Sequence, residues 1–166
     1  SLIKRKRPWQ VSLNCSFTEV IDACANIKRI DQNGTWITSE IREAYIALHE
    51  AGEAHSVEVT NEAGQLIGGL YGVVKGKIFY GESMFATEAN TSKYALIHLA
   101  QYLDSLGCTL IDCQQDTKHM RSMGAILIDK MTFWEKVKLN VIEQDLDMSK
   151  ITFDDWLNNT YSHMTS

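Results

Sequence analysis

The chain has 166 residues, enough for one domain of ordinary size with a substantial single core. With 45% hydrophobic and 22% charged residues it has the make-up of a folded globular protein, which excludes a disordered chain; no apolar run approaches the roughly 20 residues that span a bilayer. The net charge of −5 argues against nucleic-acid binding by bulk charge.

The distribution of that charge is less even. Lys4, Arg5, Lys6 and Arg7 form an unbroken basic run just before Trp9, whereas Glu143, Asp145, Asp147, Asp154 and Asp155 crowd the other end. A local basic cluster can hold phosphates because salt screens charges beyond about 10 Å; a solvated basic terminus accounts for the same run equally simply. Cys15, Cys24, Cys108 and Cys113 show no C-x-x-C spacing, and the five histidines form no H-E-x-x-H arrangement. Reduced, mostly buried thiols and no metal site are expected. The basic start lacks the apolar core of a secretion signal, so a soluble, cytoplasmic chain without membrane association is expected.

In chain order, Val11 to Phe17 reads as a strand and Thr18 to Ala25 as a short helix. Thr38 can cap a helix in which Ile41, Tyr45 and Leu48 share one face, and Gly52 ends it. The period then switches to two. Val57 and Val59 alternate with Ser56, Glu58 and Thr60, Asn61 to Gly64 make a turn, and Leu66 to Val74 is a second strand. Lys75-Gly76 forms a tight hairpin into a third strand from Lys77 to about Ser83. Asn90 or Thr91 caps a long helix with Leu96, Leu99, Ala100 and Leu103 as its apolar stripe, closed by Gly107. Thr109 to Cys113 and Ala125 to Ile128 are short strands, and Met131 to Leu139 is a helix. The order describes a mixed α/β layer with a mostly antiparallel sheet covered by a helix. It is compatible with the GNAT-like acyltransferase fold.

Three stretches could carry chemistry. Gly68-Gly69-Leu70-Tyr71-Gly72 places three glycines in a strand interior, where they mark either close approach of a ligand or backbone, or a bulge. In Gly81-Glu82-Ser83-Met84-Phe85 a carboxylate stands among apolar residues; it is either partly buried beside a cation or exposed at a strand end. Leu110-Ile111-Asp112-Cys113-Gln114 ends an apolar strand in an acid and an amide two residues apart, hence on one side of an extended chain. Such a pair could orient an amine and draw off its proton, or merely cap the strand. The pyrophosphate loop R/Q-x-x-G-x-G/A fails at its last position in both Gln65–Leu70 and Arg121–Ile126, and no Walker-type loop is present. Neither CoA nor ATP is indicated, and no cofactor is expected.

Taken in order, the chain resembles the leucyl/phenylalanyl-tRNA–protein transferase family over about residues 4 to 130. The resemblance rests on Gly34-Thr35-Trp36-Ile37-Thr38, Ala44-Tyr45 with Leu48-His49 and Gly52, and Ala54-His55-Ser56-Val57-Glu58-Val59. It continues through Gly68–Val73, Gly81–Phe85, Asn90 with Ser92-Lys93, Leu110–Gln114, His119 and Ser122-Met123-Gly124-Ala125. It implies a catalytic domain of GNAT-like fold; a monomer is expected. Such an enzyme moves Leu or Phe, and more weakly Met, from aminoacyl-tRNA to the N-terminal Arg or Lys of acceptor proteins, marking them for N-degron degradation.

By that resemblance Asp112 and Gln114 form the catalytic pair. Leu70, Phe79, Met84, Leu99, Leu103 and Ile111 line the pocket for the transferred side chain. Trp36 stacks near the terminal adenosine, and Glu82 beside Ser83 holds the acceptor's amino group or basic first residue. Lys4, Arg5, Lys6 and Arg7 grip acceptor-stem phosphates. The whole of 1–166 is expected to form one catalytic domain, with 1–10 as a basic lead-in and about 145–166 as an acidic tail. The family's smaller N-terminal domain is expected to be absent. Thr60 stands where the family commonly has Trp, and Thr117 where some members carry Asn. Competing readings are a GNAT-type acyltransferase with another donor, transfer to a cell-wall precursor, and a non-catalytic module binding tRNA or N-degrons.

Overall fold

A computed structural model describes residues 8–31, 37–113 and 130–164. The elements are β1 (Gln10–Leu13), α1 (Phe17–Asp31), α2 (Ser39–Glu50), β2 (Ala54–Thr60), β3 (Leu66–Lys75), β4 (Ile78–Ala86), α3 (Thr91–Ser105), β5 (Leu110–Asp112), α4 (Lys130–Asn140) and α5 (Lys150–Met164). The sheet runs in the order β1-β2-β3-β4-β5. Its first four strands pair antiparallel, while β5 lies parallel to β4.

Helices cover both faces, not the single face suggested by the period of two. On one side α3 and the C-terminal segment bury Leu13, Val57, Val59, Leu70, Val74 and Phe79 against Leu99, Tyr102, Leu103 and Phe153. On the other, α1 and α2 pack Phe17, Val20, Ile21 and Cys24 against Tyr71 and Phe85. Six consecutive residues of β2, Ala54 to Val59, are therefore buried, including His55, Ser56 and Glu58.

The buried Glu58 determines where α1 begins. It is 1% exposed and accepts from Ser12 Oγ (2.8 Å), Ser16 N (3.0 Å), Cys15 N (3.3 Å) and the Ser56 hydroxyl (2.5 Å). A carboxylate in that position satisfies orphan N–H groups and opposes the helix dipole. The helix accordingly starts at Phe17, at the end of the segment read as a strand, and runs to Asp31. Phe17, Val20, Ile21 and Cys24 then fall on one face at helical spacing. In α2 the expected cap holds: Thr38 accepts from Ile41 N at 3.3 Å.

The Lys75–Gly76 turn is held from outside the sheet. Gly76 adopts φ +57°, and a Cβ there would run into the amide of Asn140. Asn140 accepts from Lys77 N at 2.6 Å and donates to Lys75 O at 2.7 Å. Asp145 accepts from Gly76 N at 2.6 Å, and Leu146 N donates to Gly76 O at 2.9 Å. The segment expected to trail as an acidic tail thus clasps the hairpin. Leu146, Met148 and Phe153 enter the core, and His98 on α3 contacts the Tyr161 hydroxyl at 3.0 Å. That cover explains why the buried stripe of α3 includes Tyr94, His98 and Tyr102 beside Leu99 and Leu103.

Candidate active site

The site is built around an irregularity in β4. Tyr71 pairs with Ser83 but Gly72 pairs with Gly81, so Glu82 is the extra residue of a β-bulge. The bulge turns Glu82 toward α2, where its carboxylate comes near the Tyr45 phenol. Burial first, then the polar interaction with Glu82 and that carboxylate's charge, push the Tyr45 phenol well above its usual range. Tyr71 meets Tyr45 edge to face at 5.3 Å. Its phenol is raised mainly by burial, with Cys24, Tyr45 and Glu82 adding to it. The hydroxyls of Tyr71 and its cross-strand partner Ser83 are both buried without a hydrogen-bond partner among the described residues.

Asp112 is brought alongside by the parallel strand. Among the described residues Ile78, Phe79 and Tyr80 pair with Leu110, Ile111 and Asp112. Phe79 and Ile111 point to the α3 side, so Tyr80 and Asp112 point to the α1/α2 side. Burial, helped by the charge of Asp112, raises the Tyr80 phenol and the Cys113 thiol. Glu82 follows Tyr80 by two residues, on the order of 7 Å along the strand. The main chains stay close at that point: a Cβ on Gly81 would lie 3.4 Å from the Asp112 carbonyl oxygen. Two carboxylates therefore stand on one face at the end of the described β4–β5 pairing, with the phenols of Tyr80, Tyr45 and Tyr71 on that side.

The apolar set lies on the opposite face. Met84 pairs with Leu70, and both join Phe79, Leu99, Leu103 and Ile111 against α3. Leu70, Phe79, Leu99 and Leu103 are fully enclosed core, while Met84 and Ile111 are only partly buried. The strand glycines also turn out to serve packing. A Cβ on Gly68 would strike Thr91, one on Gly69 the Val57 carbonyl, and one on Gly72 the Tyr80 carbonyl and the Phe79 ring. The close approach they permit is of the chain to itself.

Of the residues singled out in the sequence, Glu82, Ser83, Met84, Leu70, Phe79, Leu99, Leu103, Ile111 and Asp112 converge on the β4–β5 region. Trp36, Gln114 and the run Lys4, Arg5, Lys6 and Arg7 lie outside the described residues, as do His119, Ser122–Ala125 and the expected strand at Ala125 to Ile128. Tyr45 and Tyr71 were visible only as motif letters. They are far apart in the chain, and only folding α2 onto β3 joins them to Glu82. Among the described residues no group of three His, Cys, Asp or Glu side chains could hold a metal ion, and no helix is long and apolar enough to cross a membrane.

The fold has relatives among solved acetyltransferases. An aminoglycoside acetyltransferase from an uncultured soil metagenomic sample superposes with a TM-score of 0.57 at 12% identity, covering 74% of this chain and 91% of that one. A probable acetyltransferase gives 0.56 at 8% identity, covering 74% and 92%. These likenesses establish the GNAT-type fold expected from the sequence. The family model for leucyl/phenylalanyl-tRNA protein transferase matches residues 2–138. Proteins named leucyl/phenylalanyl-tRNA–protein transferase include one from Hydrogenovibrio crunogenus, 51% identical over 80% of this chain and 52% of its own length. One from Syntrophus aciditrophicus is 56% identical over 79% of this chain and 54% of its own length. One from Shewanella woodyi is 44% identical over 94% of this chain and 64% of its own length. The chain thus spans between half and two thirds of the length of these curated relatives. It belongs to the leucyl/phenylalanyl-tRNA protein transferase family.

Proposed function

We propose that the chain transfers Leu or Phe, and more weakly Met, from aminoacyl-tRNA to the α-amino group of proteins beginning with Arg or Lys, marking them for N-degron degradation. The observation that carries this is the colinear family match over residues 2–138, which includes the bulged Glu82 and the strand-end Asp112. On this reading residues 1–166 act as one catalytic unit, monomeric and cytosolic.

The chemistry asks little of the protein. An aminoacyl ester is already activated, so no covalent intermediate on the enzyme is required. The amine attacks the ester carbonyl, the C–N amide bond forms, and the C–O bond to the terminal ribose breaks. The ammonium gives up two protons in total: one goes to the departing ribose oxygen and one to solvent. Holding amine and ester together supplies much of the rate. Asp112 stabilises the positive charge that grows on the attacking nitrogen, and Gln114 binds the amine. Glu82, steadied by Tyr45, holds the acceptor's amino group or its basic first side chain beside Ser83. The transferred side chain rests on Met84 and Ile111, the two apolar residues of the set that are not enclosed, with Leu70, Phe79, Leu99 and Leu103 as rigid backing. Trp36 stacks on the terminal adenine, as aromatics hold unstacked bases at about 1–3 kcal/mol each. Lys4, Arg5, Lys6 and Arg7 hold acceptor-stem phosphates without regard to sequence.

The test mixes the chain with radiolabelled Phe-tRNA and a peptide beginning with Arg, beside one beginning with Ser. Label on the Arg peptide alone is the expected result. Equal labelling of both peptides, or none on either, would refute the assignment for this chain.

A further inference from the structure

We propose that Asn140, backed by Asp145, is a positioning residue for transfer: its hold on the Lys75–Gly76 hairpin sets where β5 lies against β4, and so where Asp112 stands. The proposal rests on the transfer reading above and deepens it by giving the C-terminal segment a part in the site. The family match ends at residue 138, two residues before Asn140. Asn140 closes α4 and is 9% exposed. Its carboxamide spans the turn, with Oδ1 accepting from Lys77 N at 2.6 Å and Nδ2 donating to Lys75 O at 2.7 Å. Between them Gly76 donates its N–H to Asp145 and accepts from Leu146 N at its carbonyl. Lys75 O, Gly76 N, Gly76 O and Lys77 N are thus all taken up by residues 140–146.

The hold passes directly into the site. Lys77 is the joint, because its N–H is bound by Asn140 while its carbonyl accepts from Thr109 N at 2.8 Å and from the Thr109 hydroxyl at 3.2 Å. From Thr109 the parallel ladder sets Leu110, Ile111 and Asp112 against Ile78, Phe79 and Tyr80. Among the described residues β5 is three residues long and has β4 as its one neighbour in the sheet. So short a parallel pairing resists tilting only weakly. Asp112 lies about 10 Å along the strand from Thr109, so a tilt at the Lys77 joint displaces the far end. A displacement of about 1 Å at a reacting group can cost about a hundredfold in rate. The segment can bear on the strands because its own far end is anchored. Leu146 and Met148 are 5% and 7% exposed and lie in the core with Leu103 and Phe153. Glu143 N donates to Asn140 O at 3.0 Å, which turns the chain from α4 toward Asp145.

The experiment compares the full chain with Asn140→Ala, Asp145→Ala and Asp145→Asn. Transfer of Phe from Phe-tRNA to a peptide beginning with Arg is followed well below the unfolding temperature of each protein. Asn140→Ala is expected to lower kcat about tenfold with both KM values unchanged. Asp145→Ala should lower kcat about threefold. Asp145→Asn, whose amide oxygen still accepts from Gly76 N, should restore it. Amide hydrogen exchange followed by NMR is the second readout. In Asn140→Ala, exchange from Thr109 to Asp112 should quicken about tenfold, while Val57 and Leu70, paired at the middle of the sheet, keep their rates. An unchanged kcat in Asn140→Ala, or exchange that quickens equally across the sheet, would overturn the proposal, since the segment would then serve global stability alone. Should Asn140→Ala not fold, the Asp145 variants decide, and equal kcat in Asp145→Ala and wild type overturns it. Should wild type transfer nothing, the transfer reading fails on its own, and the exchange pattern decides this proposal by the same criterion.

Discussion

Replacing Gly72 with Ala separates packing from ligand approach as the reason for glycine in β3. A Cβ at Gly72 would meet the carbonyl oxygen of Tyr80 and the ring of Phe79. The carbonyl belongs to the residue that pairs with Asp112, and Gly72 itself pairs with Gly81 next to the bulge. Relief therefore requires a shift of main chain, not a change of rotamer. Overpacking costs about 1–3 kcal/mol, and a backbone obstacle belongs at the upper end. Loss of glycine's freedom in the unfolded chain returns about 0.4–1 kcal/mol. The net cost is about 2 kcal/mol, or a fall in Tm of about 4–8 °C for a chain of this size. Thermal and urea unfolding followed by circular dichroism give the stability, and labelled-Phe transfer gives the activity. Both should fall together, because the strand that moves carries Tyr80 and positions Asp112. Wild-type stability with transfer abolished would refute the packing account and return the glycine to a role in admitting substrate.

Three further outcomes are expected. Asp112→Ala should remove most transfer while tRNA binding, followed by filter retention, stays nearly intact; equal loss of both would make Asp112 structural. Glu58→Gln turns one oxygen that accepts from the start of α1 or its neighbours into a donor, and should cost about 3 kcal/mol in urea unfolding; a cost below about 1 kcal/mol would mean that water or a rearranged turn replaces it. His55 is buried, accepts from Asn14 at 3.0 Å, and is held down to about 4, mainly by burial and then by the nearby His49. A histidine that binds its proton less readily folded than unfolded contributes full stability above about pH 6.5 and loses it as pH falls toward 4. The loss attributable to His55 is about 3 kcal/mol, so the stability gap between wild type and His55→Gln should narrow by that amount between pH 7 and pH 4. A gap that does not change with pH would refute the assignment.

Much of the architecture could be read in the sequence because its signals are local. Thr38 caps α2 where its position before Glu40 and Ile41 indicated, and Gly107 follows α3 with the positive φ of a helix end. The Asn61–Gly64 and Lys75–Gly76 turns join strands whose limits lie within a few residues of expectation. Turn chemistry and helix capping act over three or four residues, so a linear reading captures them. The start of α1 was misread because its determinant, Glu58, lies 42 residues away from Ser16. Likewise the acidic spacing after Asp145 concealed Leu146, Met148 and Phe153, which become core only once α3 offers them a surface.

The candidate site divides along the same line. The family, the GNAT-type fold and the motif carboxylates Glu82 and Asp112 were legible from the order of residues alone, since colinear motifs survive without knowledge of contacts. Strand pairing and helix packing were needed to make Glu82 the extra residue of a bulge, to bring Tyr45 over from α2 beside it, and to set the carboxylates and the apolar set on opposite faces. The same packing makes the glycines of β3 yield to the chain's own atoms. The physical reason is that register, bulges and the burial of one face against a distant helix are relations between segments, and no single segment contains them.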